Sequence, residues 1–178
     1  GRIRLDDPVG RWLGDWQGAD RKMVTVRDLL AHSSGLPAYL PFFRDYTGRR
    51  EFDHAICSIA LEYAPRTQSI YSDLGFILLG FILEDAASAS AGYTGTAGSF
   101  DPAGSLAGQF QHFASFITYE PLTFNPPRGW RDRIAPTEID PWRGRLLTGE
   151  VHDENAWALG GAAGHAGLFG TAAAVGAF

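Results

Sequence analysis

The chain has 178 residues, 45% hydrophobic and 20% charged, which is enough for one domain with a real core. Its net charge is −5, and the arginines are scattered beside a single lysine, Lys22, a pattern that argues against a nucleic-acid binder. One cysteine, Cys57, excludes an internal disulfide and a cysteine-rich zinc site, and no apolar run reaches the roughly 18 residues that cross a bilayer.

Residues 1–22 read as a connector built on Leu5-Asp6-Asp7-Pro8-Val9 with Trp12, Leu13 and Trp16. A short helix follows. Thr25 caps it, Asp28 stands three residues on, Gly35 suits a left-handed position past the end, and Pro37 bars continuation. Residues 36–47 form an aromatic loop. Phe52, Ile56, Ile59, Ala60 and Tyr63 recur at helical spacing and predict an amphipathic helix over 51–64, ended by Pro65. Cys57 falls within it and reads as a small core residue.

The next helix, about 73–87, is apolar almost all round and should be buried. Gly75 and Gly80 within it permit close approach of a neighbour at some cost in helix propensity. Residues 88–109 are rich in Ser, Ala, Gly and Thr and read as a flexible insertion. A further helix is predicted over 109–119. Residues 120–150 read as an ordered irregular segment, and 156–170 as a Gly/Ala-rich passage. Thr171 caps a last helix that reaches the end of the chain. The opening at Gly1 and the end at Phe178 inside a helical pattern both read as cuts.

Four constellations bear on chemistry. Tyr71-Ser72-Asp73 stands where an extended segment becomes the apolar helix, so Tyr71 and Asp73 could face one cleft. A phenol near pKa ~10 becomes a base only beside a cation such as a lysine ammonium. The competing reading makes Tyr71 a packed aromatic and Ser72 or Asp73 a helix cap. Ala31-His32-Ser33-Ser34-Gly35 resembles a nucleophile elbow, but it closes a helix instead of opening one, so a C-terminal turn is expected. His152, Asp153 and His165 could bind a metal, yet their spacing matches no metal motif, and no metal or cofactor is expected. Gly160-Gly161-Ala162-Ala163-Gly164-His165-Ala166-Gly167 lacks the ending of a phosphate loop and reads as a tight backbone passage.

Taken jointly these segments resemble the serine β-lactamase-related family, which holds class C β-lactamases, penicillin-binding D-alanyl carboxypeptidases and related esterases. The resemblance rests on Gly1 to Val9, on Val24 to Pro37, on Tyr71 to Gly80, and on Val151 to Ala156 followed by Gly164 to Phe169. It implies an α+β, β-lactamase/transpeptidase-like fold. Residues 1–178 would be a partial domain, mainly its helical region, lacking most of the antiparallel sheet.

By the same resemblance Tyr71 is the catalytic tyrosine, and Asp73 occupies the position where asparagine is usual. The family nucleophile, a Ser-x-x-Lys serine, is absent here, because Ala19 stands three residues before the one lysine. The implied activity is serine acyl hydrolysis through an acyl-enzyme on a small acyl substrate: a peptide, an ester or a β-lactam. The serine and lysine would lie upstream, and this piece alone would be inactive. Asp73 accepts hydrogen bonds but cannot donate them as an amide does, which favours a peptidase or esterase over a β-lactamase. The alternatives are a non-catalytic binding homologue and a metal-dependent hydrolase using His152, Asp153 and His165.

Overall fold

The computed structural model describes residues 3–90 and 104–178. Its elements in chain order are α1 (Val26–Leu30), α2 (Gly48–Ser58), α3 (Asp73–Ser90), α4 (Leu106–Ala114), β1 (Leu122–Phe124), β2 (Ile139–Asp140), β3 (Arg145–Leu146), α5 (Glu154–Ala158), β4 (Leu168–Gly170) and α6 (Ala172–Ala177).

The apolar helix α3 organises the packing. Leu74, Ile77, Leu78 and Ile82 are buried almost completely, against Leu29 of α1 and Phe52 and Ile56 of α2. The buried Val9, Leu13 and Trp16 extend this cluster, so the connector at the start of the chain is part of the core. Burial of side chains of this size contributes roughly 1.5–3 kcal/mol each. Cys57 lies in the same core, as its sequence neighbours suggested.

The α1 start is the expected one: one oxygen of Asp28 accepts from both the backbone N–H and the hydroxyl of Thr25, each at 2.8 Å. The end of α1 differs from expectation. The left-handed position is taken by His32, at φ 54°, and Gly35 adopts φ 91° in the turn beyond it. Histidine is among the residues that tolerate this region. The Ser33-Ser34 pair lies within this turn, with Ser34 buried, so the structure has no nucleophile elbow here.

Helix α2 ends at Ser58, six residues short of the predicted 64. Arg21 explains the early stop: its guanidinium donates to the carbonyls of Cys57 at 2.8 Å and Ile59 at 2.7 Å, where the helix would otherwise continue. Tyr63 is buried as the spacing required, but from a non-helical segment, and its hydroxyl donates to the His32 carbonyl.

Helix α3 runs to Ser90, so residues 88–90 are helical. The rest of the predicted insertion up to residue 103 lies outside the described residues. Helix α4 starts at Leu106, earlier than predicted, because Ser105 caps it by accepting from the Gly108 N–H at 3.1 Å.

The segment 120–150 is ordered and mostly irregular, as expected, but three short strands in it, with β4 beyond it, form two antiparallel ladders. Strand β1 pairs with β4 in the register Leu122↔Gly170, Thr123↔Phe169 and Phe124↔Leu168, and β2 pairs with β3. Three-residue strands leave too little alternation to be read from sequence. Thr171 caps α6 as predicted, accepting from the Ala174 N–H at 3.0 Å.

Candidate functional site

The start of α3 is built by a set of backbone and side-chain bonds around Ser72. Its hydroxyl donates to the Pro37 carbonyl at 2.6 Å and accepts from the Gly75 N–H at 3.2 Å. Ser72 is therefore the helix cap, and it is buried. The Ser72 N–H donates to Nδ1 of His32 at 3.0 Å, and the Asp73 N–H donates to the Ala38 carbonyl at 2.9 Å. With capping done by Ser72, the side chains of Tyr71 and Asp73 are released from that duty.

Tyr71 is 65% exposed. Its ring rests on the His32 imidazole, centroids 4.6 Å apart, and His32 in turn stacks on Phe76 at 4.8 Å. The unusual left-handed backbone at His32 thus places an aromatic bracket beneath the phenol. Among the described residues, Tyr71 and Asp73 line neither of the two larger cavities; the phenol stands on open surface.

Asp73 has company that sequence spacing did not suggest. Ligating atoms of Asp73, Asp153 and His165 all lie within 4.8 Å of one another. His152, grouped with Asp153 and His165 in the sequence, is not part of this set. Its Nε2 pairs with Glu138 at 2.9 Å, and its side chain is half exposed. The metal set expected as an alternative is therefore corrected: Asp73 takes the place of His152.

Three oxygens and nitrogens this close could hold a small cation. Asp153 Oδ1, however, is already committed twice, to Nε2 of His165 at 2.8 Å and to the Ala156 N–H at 2.7 Å as the cap of α5. The arrangement is that of a hydrogen-bonded pair, its histidine buried and its carboxylate partly exposed, beside a third group.

Each member is held by a different element. Asp153 is anchored at the start of α5. The buried Asn155 staples that helix to the aromatic loop, accepting from the Phe43 N–H and donating to the Leu40 carbonyl, both at 2.9 Å. Arg143 fixes the segment just before it through the carbonyls of Val151 and His152. His165 reaches Asp73 because Gly164 packs directly on the backbone of Phe76 and Gly80 in α3. Gly80 thus serves the close approach expected of it. Gly75 does not, since an added Cβ there would meet only ordinary contacts.

The two carboxyl groups are driven in opposite directions. Burial pushes Asp73 upward; His165, the Tyr71 hydroxyl and His32 oppose this, and Asp153 adds to it, leaving the carboxyl above its ordinary value. Burial also pushes Asp153 upward. There the hydrogen bond from His165 and the N–H groups of Ala156 and Asn155 outweigh it, so Asp153 is held below the usual range.

This α+β architecture is the β-lactamase fold. A class C β-lactamase superposes with TM-score 0.68 over 99% of this chain and 42% of its own, at 15% identity. Another class C β-lactamase, solved with cefoxitin, gives 0.67 over 98% and 42%, also at 15% identity. A β-lactamase/D-alanine carboxypeptidase from Yersinia pestis, complexed with citrate, gives 0.63 over 98% and 45%, at 16% identity.

The chain belongs to the beta-lactamase family, whose model matches residues 1–178. A Salmonella agona relative named "Putative D-alanyl-D-alanine carboxypeptidase" is 29% identical across 95% of this chain and 42% of its own length. The chain thus spans about two fifths of the curated relatives it matches. The family is one of serine hydrolases.

Proposed function

We propose that this chain is the tyrosine-bearing part of a serine acyl hydrolase of the peptidase or esterase type, with residues 1–178 a partial β-lactamase-related domain. A serine hydroxyl attacks the acyl carbonyl, Tyr71 and a lysine carry the proton, and water resolves the acyl-enzyme. The serine and its lysine belong to a Ser-x-x-Lys segment outside these 178 residues, since Lys22 is the one lysine present and Ala19 precedes it by three. Asp73 accepts a hydrogen bond from the substrate at the position where the family usually offers an amide. The substrate is a small acyl compound, a peptide, ester or β-lactam; the carboxypeptidase-named relative and the cefoxitin-bound structure support that class.

The observation that carries this reading is the state of Tyr71: exposed, braced by His32, and next to Asp73 at a helix start already capped by Ser72. The test uses the longer protein that contains this chain, labelled with a fluorophosphonate or penicillin probe and read by intact mass. Tyr71→Phe should slow acylation by about 10²–10⁴-fold and leave the melting temperature in place, because the ring is on the surface. Acylation at an unchanged rate would count against the role of Tyr71. A neighbouring sequence with no Ser-x-x-Lys would favour a non-catalytic homologue.

A further inference from the structure

We propose that the arginine-lined cavity between the Arg128–Arg133 segment and the turn from Arg145 to Glu150 binds a phosphate group, free or carried by an organic molecule. Tyr71 and Asp73 do not line this cavity, and the proposal does not rest on the acyl-transfer reading.

The cavity measures about 510 Å³. Three guanidinium side chains, Arg128, Arg131 and Arg145, meet a single carboxylate, Glu150, on its wall. Asp132 and Arg133, on the same segment, are not part of that wall. The three arginines differ in what they already hold. Arg145 is answered, because both its terminal nitrogens donate to the Glu150 carboxylate, one of them at 2.9 Å. Arg131 donates through Nε to the Thr148 carbonyl at 3.2 Å, which orients its guanidinium and leaves both terminal nitrogens without an acceptor among the described residues. Arg128 has no hydrogen bond or ion pair among the described residues. Two positive charges are thus left over in one concavity of a chain whose net charge is −5.

The arginines stand on a constrained frame. Pro126 and Pro127 fix the φ angles leading into the segment. The Trp130 N–H donates to the Pro127 carbonyl at 2.8 Å, and the Ile134 N–H to the Arg131 carbonyl at 3.1 Å, closing the 3-10 turns of Arg128–Arg133. On the facing wall Gly149 turns the chain at φ 70°, close against Ile134 and the Arg131 stem.

A guanidinium fork matches the oxygens of a carboxylate or a phosphate. One fork satisfies a carboxylate. Two uncompensated forks suit a dianion with three acceptor oxygens, which is a phosphate group. Pro126, Pro127 and Ile134 add apolar wall beside the charges, against which an organic remainder can lie. Pro126, Ile134 and Glu150 also border the neighbouring cavity of about 890 Å³, so that space continues past the arginines.

Isothermal titration calorimetry on the longer protein that contains this chain, at pH 8 and fixed ionic strength, tests the site. The probes are phenyl phosphate, inorganic phosphate and benzoate, the last carrying the same ring on a monoanion. Phenyl phosphate should saturate with a Kd below about 10 mM and bind at least about fivefold more tightly than benzoate. Arg128→Gln and Arg131→Gln should each weaken it by about tenfold. Glu150→Gln removes the one opposing charge and releases Arg145, so binding should tighten by about threefold or more. Inorganic phosphate as tight as phenyl phosphate would identify the free ion as the ligand, and a weaker one an ester; either result supports the site. No saturable heat from either phosphate up to about 10 mM, binding unchanged in Arg128→Gln, or benzoate as tight as phenyl phosphate would overturn the proposal. If Arg131→Gln or Glu150→Gln fails to fold, Arg128→Gln decides by itself, since that side chain holds no other described group in place.

Discussion

Replacing Gly164 with alanine tests the packing that delivers His165 to Asp73. A methyl group built at 164 would fall well inside van der Waals contact of the Phe76 carbonyl, and only 3.1 Å from the Gly80 nitrogen. Both obstacles are backbone within α3, so no rotamer change can relieve the clash. The loop and the helix must separate, or the helix must bend. Overpacking typically costs 1–3 kcal/mol, and a backbone obstacle belongs at the top of that range, about 3 kcal/mol. For a chain of this size that is a fall in melting temperature of about 6–12 °C. Thermal unfolding followed by circular dichroism, with urea midpoints as a second measure, reads it directly. Gly75→Ala is the matched control in the same helix. Its nearest contacts are ordinary, and alanine should add up to about 1 kcal/mol of helix propensity. A Gly164→Ala protein as stable as the parent, within about 1 kcal/mol, would refute the close approach and with it the placement of His165.

Asp28 and Cys57 give two more predictions. Arg66 donates two bonds of 2.8 Å to Asp28. Burial pushes Asp28 up, but Arg66 and Thr25 outweigh it and hold the carboxyl below its ordinary value. As pH falls through the unfolded value of ~3.9 toward the lower folded one, the unfolded state binds the proton first, so this contribution is complete above that window and is lost within it. Asp28→Asn should therefore lower the melting temperature near neutrality, by an amount corresponding to about 1 kcal/mol for the weakened cap, and the deficit should shrink toward pH 3. A deficit that grows in acid would contradict the sign. For Cys57, burial, with Asp53 adding to it, pushes the thiol well above its ordinary value. It should resist a thiol reagent at pH 8 in the folded chain and react once the chain is unfolded by guanidinium. Comparable rates in the two states would show that this core segment opens readily.

Much of the site was legible from local sequence, because its rules are local. Thr25 and Asp28 mark the start of α1, Thr171 marks that of α6, and the continuous apolar run from Leu74 to Leu83 can only be a buried helix. Tyr71, Ser72 and Asp73 stand together in the sequence, and the structure separates their duties: Ser72 caps the helix, and the Tyr71 hydroxyl bonds to the Asp73 carboxyl instead. Asp153 also carried a local signal that went unread, a capping aspartate followed by Glu154, Asn155 and Ala156, which starts α5.

The amino-acid sequence by itself determined the starts of α1 and α6, the buried run of α3 and the family, since capping, apolar continuity and motif order are properties of neighbouring residues. Tertiary structure alone decided where α2 stops, because the guanidinium that ends it comes from Arg21, far back in the chain. It alone paired β1 with β4 across more than forty residues. It also replaced His152 by Asp73 beside Asp153 and His165. The contact that does this is Gly164 on α3, a meeting of two backbones distant in sequence, which no periodicity within either segment encodes.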